Sequence, residues 1–437
     1  MKYYPKQAFL ICMLLSITMH SQSPLVQARL KVEAERFIRL YNTGDTLKYK
    51  GFLQGLIADQ NQLENTMARY RNTFNSIGRV ELKRLGYPSS TEVEIFAQEY
   101  KYDSWWKFTL QTDENQRFLS RRVLPIPLPE FGLKNAAVGK TKLQSILDDY
   151  IENKLGDGFA GNVYISKRGK TMYNKSFGSN IAGKPNTFHT EFGLASAGKM
   201  FTALAVLQLW DGHKLELDDS ISKYLPNLKN DKLHNITIYQ LLTHTSGMGD
   251  FFEHPLYETL KDSLTTSDSF LPFIEADEPI FRPGTDVGYS NTAFSLLGIL
   301  IEKISGFSYQ EYLHNNIFLP LGMKSTKAGT GAGGGTSTIV DMDLFLTGLK
   351  NPNLLRGVAV ECLLNDTVDG HYGYGTEHHI IGGEHIVGHT GGFINECIEL
   401  NMYPKSNQIV IILSNSNPPY GHFLSNKIKE NLVRKRA

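Results

Sequence analysis

Extended segments stand at both ends of a long helix-rich stretch, and this constrains the fold more than any other feature of the chain. Gly161 to Ser166 and Lys170 to Phe177 read as two strands joined by a Lys167-Arg168-Gly169 turn. Far downstream, Phe393 to Met402 and Ile409 to Ser414 read as a hairpin around Pro404-Lys405-Ser406-Asn407. An isolated hairpin is marginal in water and needs more strands, or a helix, against its apolar face. The two pairs therefore predict one sheet assembled from both ends of this region, with the intervening helices packed on it. Helices over Leu143 to Lys154 and about Phe423 to Arg434 bracket the region.

The preceding residues form a different block. Leu25 to Tyr41 carries Leu30, Ala34, Phe37, Ile38 and Tyr41 at helical spacing and stops at Asn42-Thr43-Gly44-Asp45. Gln60 to Phe74 reads as a second helix. Strand-like runs follow at Val80 to Leu85, Val93 to Tyr102, Trp105 to Gln111 and Arg117 to Val123. Residues 24–122 thus predict a small α+β domain. Pro125, Pro127 and Pro129 alternate with apolar residues, which favours an extended, semi-rigid connector over residues 123–137. Residues 138–437 then form the second domain.

Residues 1–23 read as a secretory signal: Lys2 and Lys6, an apolar run from Phe9 to Met19, then Ser21-Gln22-Ser23. That run falls well short of the roughly 18 residues needed to span a bilayer. Its removal leaves no stable membrane span and places the mature chain in the periplasm or outside the cell; an uncleaved N-terminal anchor is the alternative. Lys+Arg number 45 against 44 Asp+Glu, so no basic excess points to nucleic acid. At 437 residues the chain can bury a full core without a staple. Cys362 and Cys397 can pair in an oxidising compartment, or pack as small hydrophobes.

The chemistry concentrates at Ser196 and Lys199, where a short apolar run passes into a helical pattern ending near Trp210. Residues three apart share a helix face, so the two side chains lie side by side in the first turn. A cation is disfavoured at a helix N-terminus, and burial lowers a lysine pKa further. A neutral amine beside a hydroxyl can take its proton and make serine a nucleophile. Ser104-Trp-Trp-Lys107 and Ser220-Ile-Ser-Lys223 repeat the spacing without the strand-to-helix setting. Tyr289-Ser-Asn291 precedes a helix and offers a phenol and an amide. His389-Thr390-Gly391-Gly392 lies on a predicted strand, where glycines mark a close approach.

The order Ser-x-x-Lys, Tyr-x-Asn, His-Thr-Gly resembles the serine β-lactamase and penicillin-binding-protein superfamily. It is most similar to the class C β-lactamase-related branch, with its D-alanyl-D-alanine carboxypeptidases, D-aminopeptidases and esterases. Leu241 to Gly247, Ile317 to Met323 and Gly373-Tyr374-Gly375 extend the resemblance over about residues 140 to 430. It implies an α+β fold, an antiparallel sheet flanked by helices with a helical region and the site between them. It further implies that Ser196 attacks a carbonyl, that Lys199 and Tyr289 share the proton work, and that Asn291 holds the substrate amide. The backbone N–H groups of Ser196 and Gly392 would form an oxyanion hole, and His389 and Thr390 would recognise a substrate carboxylate. Histidine stands where many β-lactamases have lysine, which shifts the reading toward carboxypeptidase-like or esterase-like chemistry. The first domain faintly resembles the cone-shaped domains of the nuclear-transport-factor-like group, and no chemistry is assigned to it.

The substrate class implied is a small molecule or a peptidoglycan-derived peptide, with no cofactor. His371, His378, His379, His385 and His389 crowd one segment, but four strand steps between His385 and His389 span about 13 Å, too far for one ion. Glu361-Cys-Leu-Leu-Asn365 mimics a class A element by coincidence, and His244 reads as a helix-end residue before a Gly247 cap. The competing function is a non-catalytic, penicillin-sensing binding protein that keeps the fold.

Overall fold

The computed structural model describes residues 24–54, 60–112 and 118–435, and the signal reading of residues 1–23 lies outside them. The chain splits into two compact units, residues 1–126 and 127–437.

In the first unit, helices α1 (Pro24–Tyr41), α2 (Thr46–Gln54) and α3 (Gln60–Ile77) precede four strands. These are β1 (Val80–Ser89), β2 (Glu92–Glu99), β3 (Trp105–Thr112) and β4 (Phe118–Ile126), an antiparallel meander in the order β1-β2-β3-β4. The five apolar positions of α1 are all buried, and Val93, Ile95 and Ala97 alternate inward on β2. The interior is filled by rings: Tyr49 stacks on Tyr70 at 3.9 Å, and Tyr41 meets Phe108 edge-on at 5.2 Å.

The connector expected over residues 123–137 is only partly one. Residues up to Ile126 belong to β4, where Pro125 is tolerated because the strand is at the sheet edge. Beyond it, Leu128 and Leu133 are buried, and Lys134 donates to Asn431 Oδ1 at 2.6 Å. Alternate prolines hold the chain extended, but the leucines between them pack.

The second unit opens with α4 (Lys140–Tyr150), then β5 (Gly161–Lys167), β6 (Lys170–Phe177) and the short β7 (Phe192–Gly193). The helical body follows, with α5 (Lys199–Asp211), α6 (Ile238–Leu242) and the helix Asn291–Ser305. β8 (Lys327–Thr330) and β9 (Gly333–Ser337) join β7 in a three-stranded sheet. The chain closes with β10 (Glu377–Ile381), β11 (Glu384–Phe393), β12 (Glu396–Tyr403), β13 (Gln408–Ser414) and the helix Tyr420–Leu432.

The main sheet runs β10-β11-β12-β13-β5-β6, all antiparallel. It is assembled from both ends, as the strand pattern predicts: Gln408 to Ser414 pair with Lys167 to Gly161. Alternation along β12 separates its faces. Ile398, Leu400 and Met402 join the core of the helical body. Glu399 faces the other way, onto the closing helix through Ser425 and His422. Helix α5 is apolar on every side and buried accordingly. Cys362 and Cys397 are both buried free thiols. Among the described residues no helix is long and apolar enough to cross a membrane.

Candidate active site

Ser196 lies in a tight 3-10 turn, Ala195 to Gly198, that leads directly into α5 at Lys199. Ala195 has φ 43°, a left-handed value rare for a residue with a Cβ. Two neighbours crowd the turn. A Cβ at Gly391 of β11 would come 2.4 Å from the Leu194 carbonyl, and one at Gly333 would come 2.5 Å from the Ala195 carbonyl. Glycine at both positions is what lets backbone from β11 and β9 lie against the nucleophile turn.

Lys199 is fully buried. Its Nζ is 2.6 Å from Asn291 Oδ1, 2.6 Å from the Ala332 carbonyl and 3.3 Å from Ser196 Oγ. Burial pulls its pKa down to about 7, with Asp250 and Glu377 acting weakly in the other direction. The contact set is suited to either protonation state. As an ammonium, Lys199 donates to all three oxygens; as a neutral amine, its two N–H groups serve the two carbonyls and its lone pair faces Ser196 Oγ.

Tyr289 reaches the same serine by a hydrogen bond, and its ring centroid is 4.9 Å from Lys199 Nζ. Crowding by protein pushes its pKa up, and the bond to Ser196 offsets this only in part. The phenol is therefore a neutral proton carrier in the resting site, not a phenolate. Ser290 caps the helix Asn291–Ser305 through Ala293 N–H, and its hydroxyl donates to the Gly249 carbonyl at 2.6 Å. Asn291 Nδ2 donates to Asp250 Oδ2 at 2.7 Å. Both ends of the Asn291 amide are thus engaged inside the protein, its oxygen on Lys199 and its nitrogen on Asp250.

His244, expected only to end a helix, is buried against the site. Its Nδ1 accepts the Ser290 N–H at 3.1 Å and its carbonyl accepts the Gly288 N–H at 2.8 Å. Its ring lies 4.3 Å from that of Tyr289. One residue therefore clamps the backbone on both sides of the phenol. Its own φ is 56°. Asparagine tolerates that conformation and carries an acceptor near the position of Nδ1. His244→Ala should lower kcat/KM by about 10²-fold, since small misplacements of a reacting group cost that much. His244→Asn should recover much of the loss, as compared by steady-state kinetics.

His389 is placed differently from the expectation. It is buried, with Nδ1 2.6 Å from the Thr390 carbonyl and Nε2 3.0 Å from the Tyr372 hydroxyl. Those partners assign the proton to Nδ1, so Nε2 accepts from Tyr372. Burial lowers its pKa, with Glu377 opposing. Both of its ring nitrogens are engaged inside the protein, and it does not line the cavity. Thr390 donates its hydroxyl to Glu377 Oε1 at 2.8 Å and its N–H to Glu377 Oε2 at 3.1 Å.

A cavity of about 820 Å³ opens over Ser196, Tyr289, Asn291 and Gly392. Its further walls combine the aromatic rings of Phe251, Phe252, Phe270 and Phe393 with polar groups, among them Lys261, Gln310 and Glu396. Gly392 thus shares the cavity with Ser196, whereas His389 and Thr390 do not line it. The other tempting residues are occupied elsewhere. Lys107 pairs with Glu94, Lys223 with Asp219, and Asn365 with Glu361. His378 and His385 bond each other at 2.9 Å, and no metal-holding cluster occurs among the described residues.

A fold with a serine and a buried lysine at the start of one helix, beside an antiparallel sheet, defines a class of serine hydrolases. The family model described as Beta-lactamase matches residues 147–434, and the chain belongs to that family. "Protein flp" of Staphylococcus aureus is 34% identical over 197 residues, which cover 42% of this chain and 38% of that protein. "Penicillin-binding protein 4*" of Bacillus subtilis is 32% identical over 173 residues, 39% of this chain and 38% of that protein. Each match spans well under half of its relative. The penicillin binding protein from Bacillus halodurans superposes with a TM-score of 0.58 at 28% identity, covering 66% of this chain and 98% of that one. D-amino acid amidase from Ochrobactrum anthropi shares the fold, with a TM-score of 0.58 at 22% identity, covering 66% of this chain and 96% of that one.

Proposed function

We propose that the chain is an exported serine hydrolase that acylates Ser196 and then releases the acyl group to water. The observation that carries this reading is the buried Lys199 Nζ 3.3 Å from Ser196 Oγ, placed to take the serine proton once its amine is neutral. Its substrates are amides or esters bearing an apolar or aromatic group, which the phenylalanine-lined cavity accommodates. D-amino-acid peptides and amides, small esters and β-lactams belong to this range. The names of the relatives, penicillin-binding proteins and a D-amino acid amidase, support amide substrates in particular.

The steps follow from the geometry. Ser196 gives its proton to Lys199 as Oγ bonds the carbonyl carbon. The oxyanion is held by the N–H groups of Ser196 and Gly392, each such donor contributing about 3–4 kcal/mol. The phenol of Tyr289 delivers a proton to the leaving nitrogen or oxygen and is reprotonated from Lys199 as that bond breaks. Water then attacks the acyl carbon, losing its proton to the same pair, which returns it to Ser196 Oγ as the acyl–oxygen bond breaks. Asn291 and Asp250 hold the lysine in place through this cycle.

The basic and apolar start of the chain supports export to the periplasm or beyond. The interior of the first unit is packed with aromatic rings, and we assign no reaction to it. Intact-mass analysis after exposure to a fluorophosphonate and to a penicillin tests the reading, with Ser196→Ala as control. A covalent adduct on the wild-type chain that Ser196→Ala lacks is expected. No adduct with either probe on folded protein sinks the enzyme and leaves the non-catalytic alternative; a penicillin adduct that never turns over marks a penicillin sensor.

A further inference from the structure

We infer that Glu377 sets the substrate class. Its carboxylate occupies, from within the protein, the donors on Thr390 that a substrate carboxylate would need, so the site takes neutral leaving groups and rejects anionic ones. The inference rests on the acyl-enzyme reading and narrows it.

Glu377 opens β10 and pairs with Gly388 of β11, two residues before Thr390. β10 supplies no backbone partner to Thr390, and the Glu377 side chain supplies an acceptor instead. One oxygen takes the Thr390 hydroxyl at 2.8 Å and the other takes its N–H at 3.1 Å. His389 Nδ1 stands 3.6 Å from the same carboxylate. The Thr390 hydroxyl and backbone N–H are the donors that, on the family resemblance, would seat a substrate's carboxylate, and an internal one already holds both.

Among the described residues no unpaired cation offsets a second negative charge there. His389 is neutral by its hydrogen bonds, and Lys199 is buried with its N–H groups spent on Asn291 and Ala332. Lys261 lines the cavity but is paired with Glu258 at 2.6 Å. A leaving group carrying a carboxylate toward Thr390 would meet like charge with its ligands taken, which is discrimination by an unfavourable element. The cavity itself carries a further carboxylate, Glu396, beside its aromatic rings.

Two thioesters with the same N-acylglycyl group test this. One releases thioglycolate and the other its methyl ester, so they differ in a single carboxylate on the leaving side. Thiol release is followed for the wild-type chain, Glu377→Ala and Glu377→Gln. Like-charge juxtaposition predicts that the wild type prefers the methyl ester by about tenfold or more in kcat/KM. Glu377→Ala should shift that ratio toward the acid by at least about tenfold, and Glu377→Gln, which keeps an acceptor on Thr390 without the charge, by a smaller factor. Equal rates on both thioesters in the wild type overturn the proposal, as does a ratio unmoved by either substitution. If the wild type hydrolyses neither while fluorophosphonate still labels Ser196, this proposal alone fails. If Ser196 is not labelled, the acyl-enzyme reading fails with it.

Discussion

Replacing Lys199 by methionine is expected to lower kcat/KM by about 10²–10⁴-fold, the usual contribution of a general base. Arginine should do no better, because it stays protonated and has no lone pair to offer. The wild-type profile should show why. At its ordinary pKa near 10.4, a lysine is an amine in fewer than about one molecule in a thousand at pH 7. Burial brings Lys199 down to about 7. kcat/KM on a neutral ester should therefore rise about tenfold per pH unit on the acid side and level off above pH 7. A flat profile between pH 5 and 9, or a rise continuing to pH 10, would refute the role. The same shift has a stability consequence. Because the folded pKa lies below the unfolded one, the unfolded chain binds more protons between pH 7 and 10.5, and this group makes folding more favourable as pH rises through that window.

The second large effect lies away from the site. Glu399→Ala is expected to reduce unfolding free energy by about 1–3 kcal/mol, the cost of leaving its buried donors Ser425 and Asn401 without an acceptor, since His422 is partly exposed. Glu399 is buried and accepts from His422 Nδ1 at 2.5 Å, Ser425 Oγ at 2.8 Å and Asn401 Nδ2 at 2.9 Å. Two of these donors belong to the closing helix, so the carboxylate fastens that helix to β12. Burial alone would raise its pKa; the nearby Lys429, with His422 and Ser425, overcomes this and holds it at about 2. A depressed carboxylate pKa stabilises the fold above the unfolded value of 4.5, and that contribution is lost as pH falls through about 2. Urea midpoints for wild type and variant should differ widely at pH 7 and converge near pH 2. A variant as stable as the wild type at pH 7 would contradict the assignment.

Local patterns were the legible ones. Ser196 and Lys199 are three residues apart, so a helical turn alone brings them together. The β5–β6 and β12–β13 hairpins could be read from alternation and turns, and their union into one sheet from the need to cover apolar faces. Partners joined through space left no local mark. Asp250 reaches Asn291 from 41 residues away. Ala332 serves Lys199 with a backbone carbonyl, which any residue type has. Glu377 is unremarkable as a letter, and only the early end of β10 turns it onto Thr390. Nothing in the letter at 389 says where its ring nitrogens go; burial and the Thr390 carbonyl decide that. The prolines near residue 125 marked an extended chain correctly, but an extended chain can also be an edge strand.

The adjacency of β5 and β13 has a consequence for how the protein comes into being. Lys167 must wait for Gln408, so the seam between β5 and β13 cannot close until a ribosome has made about 240 further residues. Pairings so distant are slow to find, and the intermediate meanwhile exposes unpaired edges. β11, which brings Gly391 and Gly392 to the serine, is also translated late. Until β11 has been made, the Ser196 turn lacks the strand that lies against it.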